Sequence, residues 1–146
     1  MFRELYKLVV LLSLCYTPLN AQTQELDDTT RYAVASLTSE LVECSVFYSI
    51  MGAGQDSSGN LSANSERFLA LTERLSIMAL QLTKSVGMKI ETLMSKAAIY
   101  SKEMGEEIGG DGINISILMN KHGDFCKTLV EDPEKRLEYW VLKEGS

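Results

Sequence analysis

Apolar side chains recur at Val34, Leu37, Leu41, Cys44, Tyr48 and Met51, in steps of three and four. That spacing lines one face of an α-helix and predicts an amphipathic helix over residues 30–51. The preceding "QTQELDDTT" is polar and unpatterned, so residues 22–29 are expected to form a flexible tail. Its last members, Asp27, Asp28 and Thr29, carry oxygens able to accept bonds from the first unpaired amides of the helix. The apolar rhythm then stops in "GAGQDSSGNLSANS", residues 52–65, where glycine and small polar residues favour a loop.

A second periodic stretch carries Leu71, Leu75, Met78, Leu82, Val86, Ile90, Leu93, Ala97, Tyr100 and Met104. Its mean spacing of about 3.7 is helical. One helix of some 40 residues would be long for so small a chain. Gly87 in "KSVGMK" offers a stop, so two antiparallel helices with a tight turn at residues 85–88 are expected. After "GEEIGGDG", where Asp111 is a candidate cap, Ile115, Met119, His122, Cys126 and Leu129 form a further helical face. In "EDPEKRLEYWVLK", Asp132 is placed to cap a short final helix and Pro133 to occupy its first turn, where a missing N–H costs nothing. No repeat and no hairpin-bounded alternation is visible. The expected fold is all-α, a small up-and-down bundle of about four helices plus a short C-terminal helix, forming a single domain over residues 30–144.

The first 21 residues change the picture of where this bundle works. "MFRELYKLVVLLSLCYTPLNA" places Arg3 and Lys7 before an apolar run of about eight residues and ends on a small residue, the order of a secretory signal peptide. That run is far short of the roughly 20 residues that span a bilayer. Cleavage is expected after Ala21, and a lipoprotein reading through Cys15 is disfavoured by the bulky Leu14 before it. Removal of residues 1–21 leaves 125 residues with 12 basic and 19 acidic side chains. This acidic balance opposes nucleic-acid binding, which needs concentrated Lys and Arg to displace counterions. No other apolar run approaches spanning length, so no stable membrane span is expected after cleavage.

Export also decides the expectation for the cysteines. Cys44 and Cys126 both fall on apolar stripes, on the first and fourth helices, which are neighbours in an up-and-down bundle. In an oxidising compartment they are expected to form a disulfide, which by closing a loop of about 83 residues would add about 4.5 kcal/mol in the chain-entropy view. At 82 positions apart they form no C-x-x-C redox motif. His122, the only histidine, lies one turn from Cys126, but no fourth ligand is marked by spacing, so no metal is expected. No C-x-x-C-H haem signature is present and no cofactor is expected.

No catalytic residue is nominated: there is no G-x-S-x-G elbow, and one histidine would have to serve any nucleophile without an orienting motif. Glu40 and Glu43, and the cluster Glu103, Glu106, Glu107 and Asp111, read as solvated acidic surface. Asn60 and Asn114 match the glycosylation acceptor pattern, which matters only in a eukaryotic secretory route. Among the aromatic residues near helix ends, Tyr48, Tyr139 and Trp140 are the candidates for contact with a partner, with Phe47 beside them. The expectation is therefore an exported, periplasmic or extracellular, non-enzymatic module. It would bind an envelope or secreted protein as an inhibitor, chaperone or adaptor. The alternative is a carrier of a small ligand or cofactor in the bundle core, with a hydrolase-like enzyme a distant third.

Overall fold

A computed structural model of the chain describes residues 26–53, 63–109 and 114–145. They form five helices: α1 (Asp28–Gly52), α2 (Ala63–Ser85), α3 (Ile90–Glu107), α4 (Ile115–Glu131) and α5 (Pro133–Glu144). The described residues contain no strand, so the fold is the small helical bundle that the periodicity implies. The leader, most of the loop after α1 with Asn60, and Asp111 lie outside the described residues.

Helix ends follow from local chemistry. Asp27 caps α1: its carboxylate accepts from the Thr30 backbone N–H at 2.9 Å and from the Thr30 hydroxyl at 2.7 Å. The helix therefore begins at Asp28, two residues before the apolar stripe alone suggests. Between α2 and α3, Gly87 adopts φ +67, the left-handed conformation that a side chain disfavours. The Met88 N–H reaches the Thr83 carbonyl at 3.0 Å and the Gly87 N–H that of Lys84 at 3.3 Å, the paired bonds that close a helix C-terminus around glycine. The stretch read as one helix or two is thus two. Asp132 caps α5 through the Lys135 N–H at 3.0 Å, with Pro133 in the first turn.

The centre of the bundle is α1. Ala33, Val34, Leu37, Thr38, Leu41, Val42, Cys44, Ser45, Phe47 and Tyr48 are all buried, so α1 is covered over more than half of its circumference rather than along one stripe. Each of the other four helices packs on it: α2 most extensively, then α5 and α3, and α4 most sparsely. Buried hydroxyls cost little in this surrounding because the helix itself satisfies them. Thr38 donates to the Val34 carbonyl at 2.7 Å, and Thr83 of α2 to that of Ala79 at 2.7 Å. Leu41, Phe47, Leu75, Met104, Leu118 and Leu129 complete a single core. Truncating any of the buried Leu residues to alanine would cost about 2–5 kcal/mol.

Candidate functional site

Cys44 and Cys126 are joined by a disulfide that brings the Cα atoms of α1 and α4 to 5.3 Å. It lies at the sparsest of the four seams around α1. Immediately beside it α1, α2 and α4 diverge and leave a groove of about 350 Å³. The groove is built from Phe47 and Tyr48 of α1, Phe68 and Leu71 of α2, and Met119 and Val130 of α4. Arg67 and Lys127 supply positive charge at its rim, Asp124 and Glu131 negative charge, and Asn64 an amide. Helical spacing accounts for the wall that α4 provides: Gly123, Lys127 and Val130 follow one another in steps of four and three, flanking Cys126.

Two close approaches hold this geometry. The aromatic ring of Tyr48 lies between Phe47, with centroids 5.0 Å apart, and Phe68, stacked at 5.8 Å. At the end of α1, a Cβ on Gly52 would come within 2.9 Å of the Leu69 side chain and 3.2 Å of the Ser65 carbonyl oxygen, so glycine lets α2 start close against α1. Tyr48 is only 5% exposed. Burial pushes its phenol up from the ordinary value; Arg67 opposes this and Glu131 adds to it.

The aromatic residues expected at a partner surface do not converge. Tyr48 is in the wall of the groove, while Tyr139 and Trp140 lie on α5, which packs elsewhere on α1. Tyr139 is 45% exposed and Trp140 half-buried, their rings edge to face at 5.3 Å. Between them and α1 sits Arg136, whose guanidinium grips both oxygens of Glu40, with Nε to Oε2 at 2.8 Å. It also lies 4.2 Å from the Tyr139 ring centroid and 5.4 Å from that of Trp140. The bond to Glu40 raises the Arg136 pKa above its ordinary value.

A polar cluster lies on the other side of the disulfide turn. His122 is buried, with Nδ1 3.0 Å from Glu43 Oε1. Its Nε2 faces Glu107 Oε2 at 4.0 Å, and these two buried atoms lack a hydrogen-bond partner. The second Glu107 oxygen accepts from the Lys121 ammonium, which raises the Lys121 pKa. Glu40, Glu43 and Glu107 are therefore interhelical ties rather than solvated surface. Charge spacing could not reveal this, because their partners are distant in sequence. Phe68, Arg67 and Lys127 carry no mark in the sequence; the available signal is the aromatic pair Phe47 and Tyr48 near the end of the first apolar stripe. Among the described residues no three His, Cys, Asp or Glu side chains are grouped to hold a metal ion. Nor is any described helix long and apolar enough to cross a membrane.

Fold and groove together define a single-disulfide helical bundle with an apolar cleft at its covalently tied seam. No family model, no curated protein and no solved structure matches the chain.

Proposed function

We propose that the protein is an exported, non-enzymatic binding module that seats apolar side chains of an envelope or secreted protein in the groove between α1, α2 and α4. The single observation that carries this reading is the groove: a concave apolar surface with charges of both signs at its rim, backed by the disulfide. Binding sites favour such concavities with a few convergent polar groups, and aromatic residues dominate their energetics. A preformed cleft lowers the ordering cost of binding, because its walls need not be assembled by the partner. Tyr48 takes part as a wall of the cleft, whereas Tyr139 and Trp140 belong to a second aromatic surface available to the same partner.

The test uses protein purified from an oxidising compartment, its mass checked against residues 22–146 less two hydrogens. A photo-crosslinking side chain at Lys127 is expected to form one specific adduct. Leu71→Glu or Lys127→Glu should abolish a partner interaction measured by titration while leaving the circular dichroism unchanged. Adduct formation indifferent to Leu71→Glu would overturn the groove as the contact. A second reading follows from the groove volume, which lies within the range of about 300–1,000 Å³ typical of small-ligand sites. In that case native mass spectrometry of the purified protein would show a bound apolar molecule that Leu71→Glu releases.

A further inference from the structure

The turn between α2 and α3 differs in charge from the rest of the chain. Residues 74–98 contain Arg74, Lys84, Lys89 and Lys96 against one acid, Glu91. The remainder of the sequence holds 10 basic and 19 acidic residues. Charge is thus segregated: the tip of the hairpin is net positive, whereas the far parts of its helices, with Glu66, Glu73, Glu103, Glu106 and Glu107, are net acidic. Arg74, Lys84 and Lys89 are exposed, and none of the four cations forms a salt bridge among the described residues.

The same hairpin exposes apolar side chains that nothing covers. Ile77 and Leu80 lie in the last turns of α2, and Ile90 and Met94 in the first turns of α3, with Met94 67% exposed. All four are within about 12 Å of the turn along the helix axes, given a rise of 1.5 Å per residue. Val86 and Met88 of the turn share a hollow with Arg31 and with Tyr32, which is 65% exposed. Asp28 also borders that hollow, so the positive field is concentrated on the hairpin rather than on the start of α1.

We infer that this hairpin tip is a peripheral docking site for an anionic phospholipid surface. Exposed aliphatic side chains with an aromatic ring beside them, ringed by unpaired lysines, suit the boundary between acyl chains and headgroups. The apolar groups enter shallowly and the ammonium groups stay among the phosphates. The lysines supply the charge complementarity that selects an anionic bilayer. Attachment is peripheral, because no described helix can span the membrane. The site is distinct from the groove, which opens between α1, α2 and α4, so a partner could be held there while the tip rests on lipid. The inference draws on the exported reading only for which bilayer is met; binding itself is measured on purified components.

The experiment is co-sedimentation of the leader-free protein with vesicles of phosphatidylglycerol mixed with phosphatidylcholine, and with vesicles of phosphatidylcholine alone. Binding is expected to the first, to weaken as salt is raised, and to be lost on the second. Each lysine near a charged surface contributes about fivefold in affinity, so Lys84→Gln with Lys89→Gln should reduce binding roughly 25-fold. Ile90→Ser with Met94→Ser should reduce it at least tenfold, and neither pair should alter circular dichroism or the partner interaction. These positions are exposed and outside the core. Absence of binding to the anionic vesicles, equal binding to both vesicle types, or indifference to the two variant pairs overturns the proposal. So does concentration-dependent self-association in solution that the lysine variant abolishes, since the tip would then be an acidic-protein contact.

Discussion

Helices α4 and α5 both rest on α1, yet they are held there in opposite ways. The α4 seam has the sparsest packing around α1 and a covalent bond through it, Cys44 to Cys126. The α5 seam has no covalent bond; it has broader packing and the Glu40–Arg136 clamp, with aromatic rings against the guanidinium. The difference bears on how the groove is held rather than on whether a cleft forms, since a hollow of about 390 Å³ also opens between α1, α3 and α5 with no covalent tie. Non-covalent seams depend on the space they do fill, because unfilled apolar volume forfeits contacts. A disulfide keeps α4 in place by limiting the unfolded chain instead, so the helix can remain close to α1 while leaving a cleft beside it.

The largest expected effect tests that division directly. Replacing Cys44 and Cys126 by alanine should lower stability by about 4.5 kcal/mol in the chain-entropy view. With a urea dependence of about 1–3 kcal/mol per molar, the unfolding midpoint should fall by about 1.5 M or more. Amide exchange should accelerate in α4 before α5, and partner affinity at the groove should be lost under conditions where the variant is still folded. Earlier exchange in α5 would reverse the assignment of which seam depends on the bond.

An intermediate effect is expected from the clamp. Arg136→Met leaves Glu40, whose side chain is 12% exposed, without its charged partner and should cost about 2 kcal/mol. Arg136→Lys should recover less than half of this, since one ammonium cannot engage both carboxylate oxygens in the plane a guanidinium offers. A double-mutant cycle with Glu40→Gln is expected to give a coupling above about 0.5 kcal/mol. A smaller coupling would assign the holding of α5 to its aromatic packing alone.

The smallest effect appears in alkali. Burial raises the phenol pKa of Tyr48, on the groove side, and of Tyr100 in α3, where a bond with Ser39 opposes the shift and nearby Glu43 adds to it. In both, the folded chain favours the protonated phenol. Stability should therefore be fully present below pH about 10, the ordinary tyrosine value, and decline as pH rises through the raised folded values. Tyr48→Phe should blunt that decline without shifting the neutral-pH midpoint much. An alkaline unfolding curve identical in the wild type and in Tyr48→Phe would remove the groove tyrosine from the account.

Much of the helix plan was legible because helical period and caps are local. Gly87, Asp132 and Pro133 did at their positions what isolated residue chemistry says they do. The pairing of the two cysteines was legible from their places on apolar stripes. The centrality of α1 was not, because Thr38 and Ser45 look polar in sequence while their hydroxyls bond to backbone carbonyls one turn back and are buried. In α4 the expected apolar position Met119 is 41% exposed and Leu118 is fully buried in its place. Steps of three and four both continue a helical face, and only the neighbouring helices choose between them. The groove was illegible for a related reason: it is defined by where three helices separate, and Arg67 and Lys127 meet there although 60 positions apart.

The disulfide also divides the chain as a mechanical object. It closes a ring that contains all of α2 and α3, leaving the first part of α1 and the whole of α5 as two arms outside it. The arms run antiparallel: Arg136 meets Glu40, and Gly145 lies against Thr29 at the far end. Tension applied at the chain ends would first peel these arms apart, and the load would then pass through the sulfur atoms. The chain between the cysteines, which are 82 positions apart, would stay slack. The hairpin tip lies inside that ring, and so do the α1 and α2 walls of the groove, so a pull between a surface at the tip and a partner in the groove would be carried within the closed ring and leave the arms unloaded.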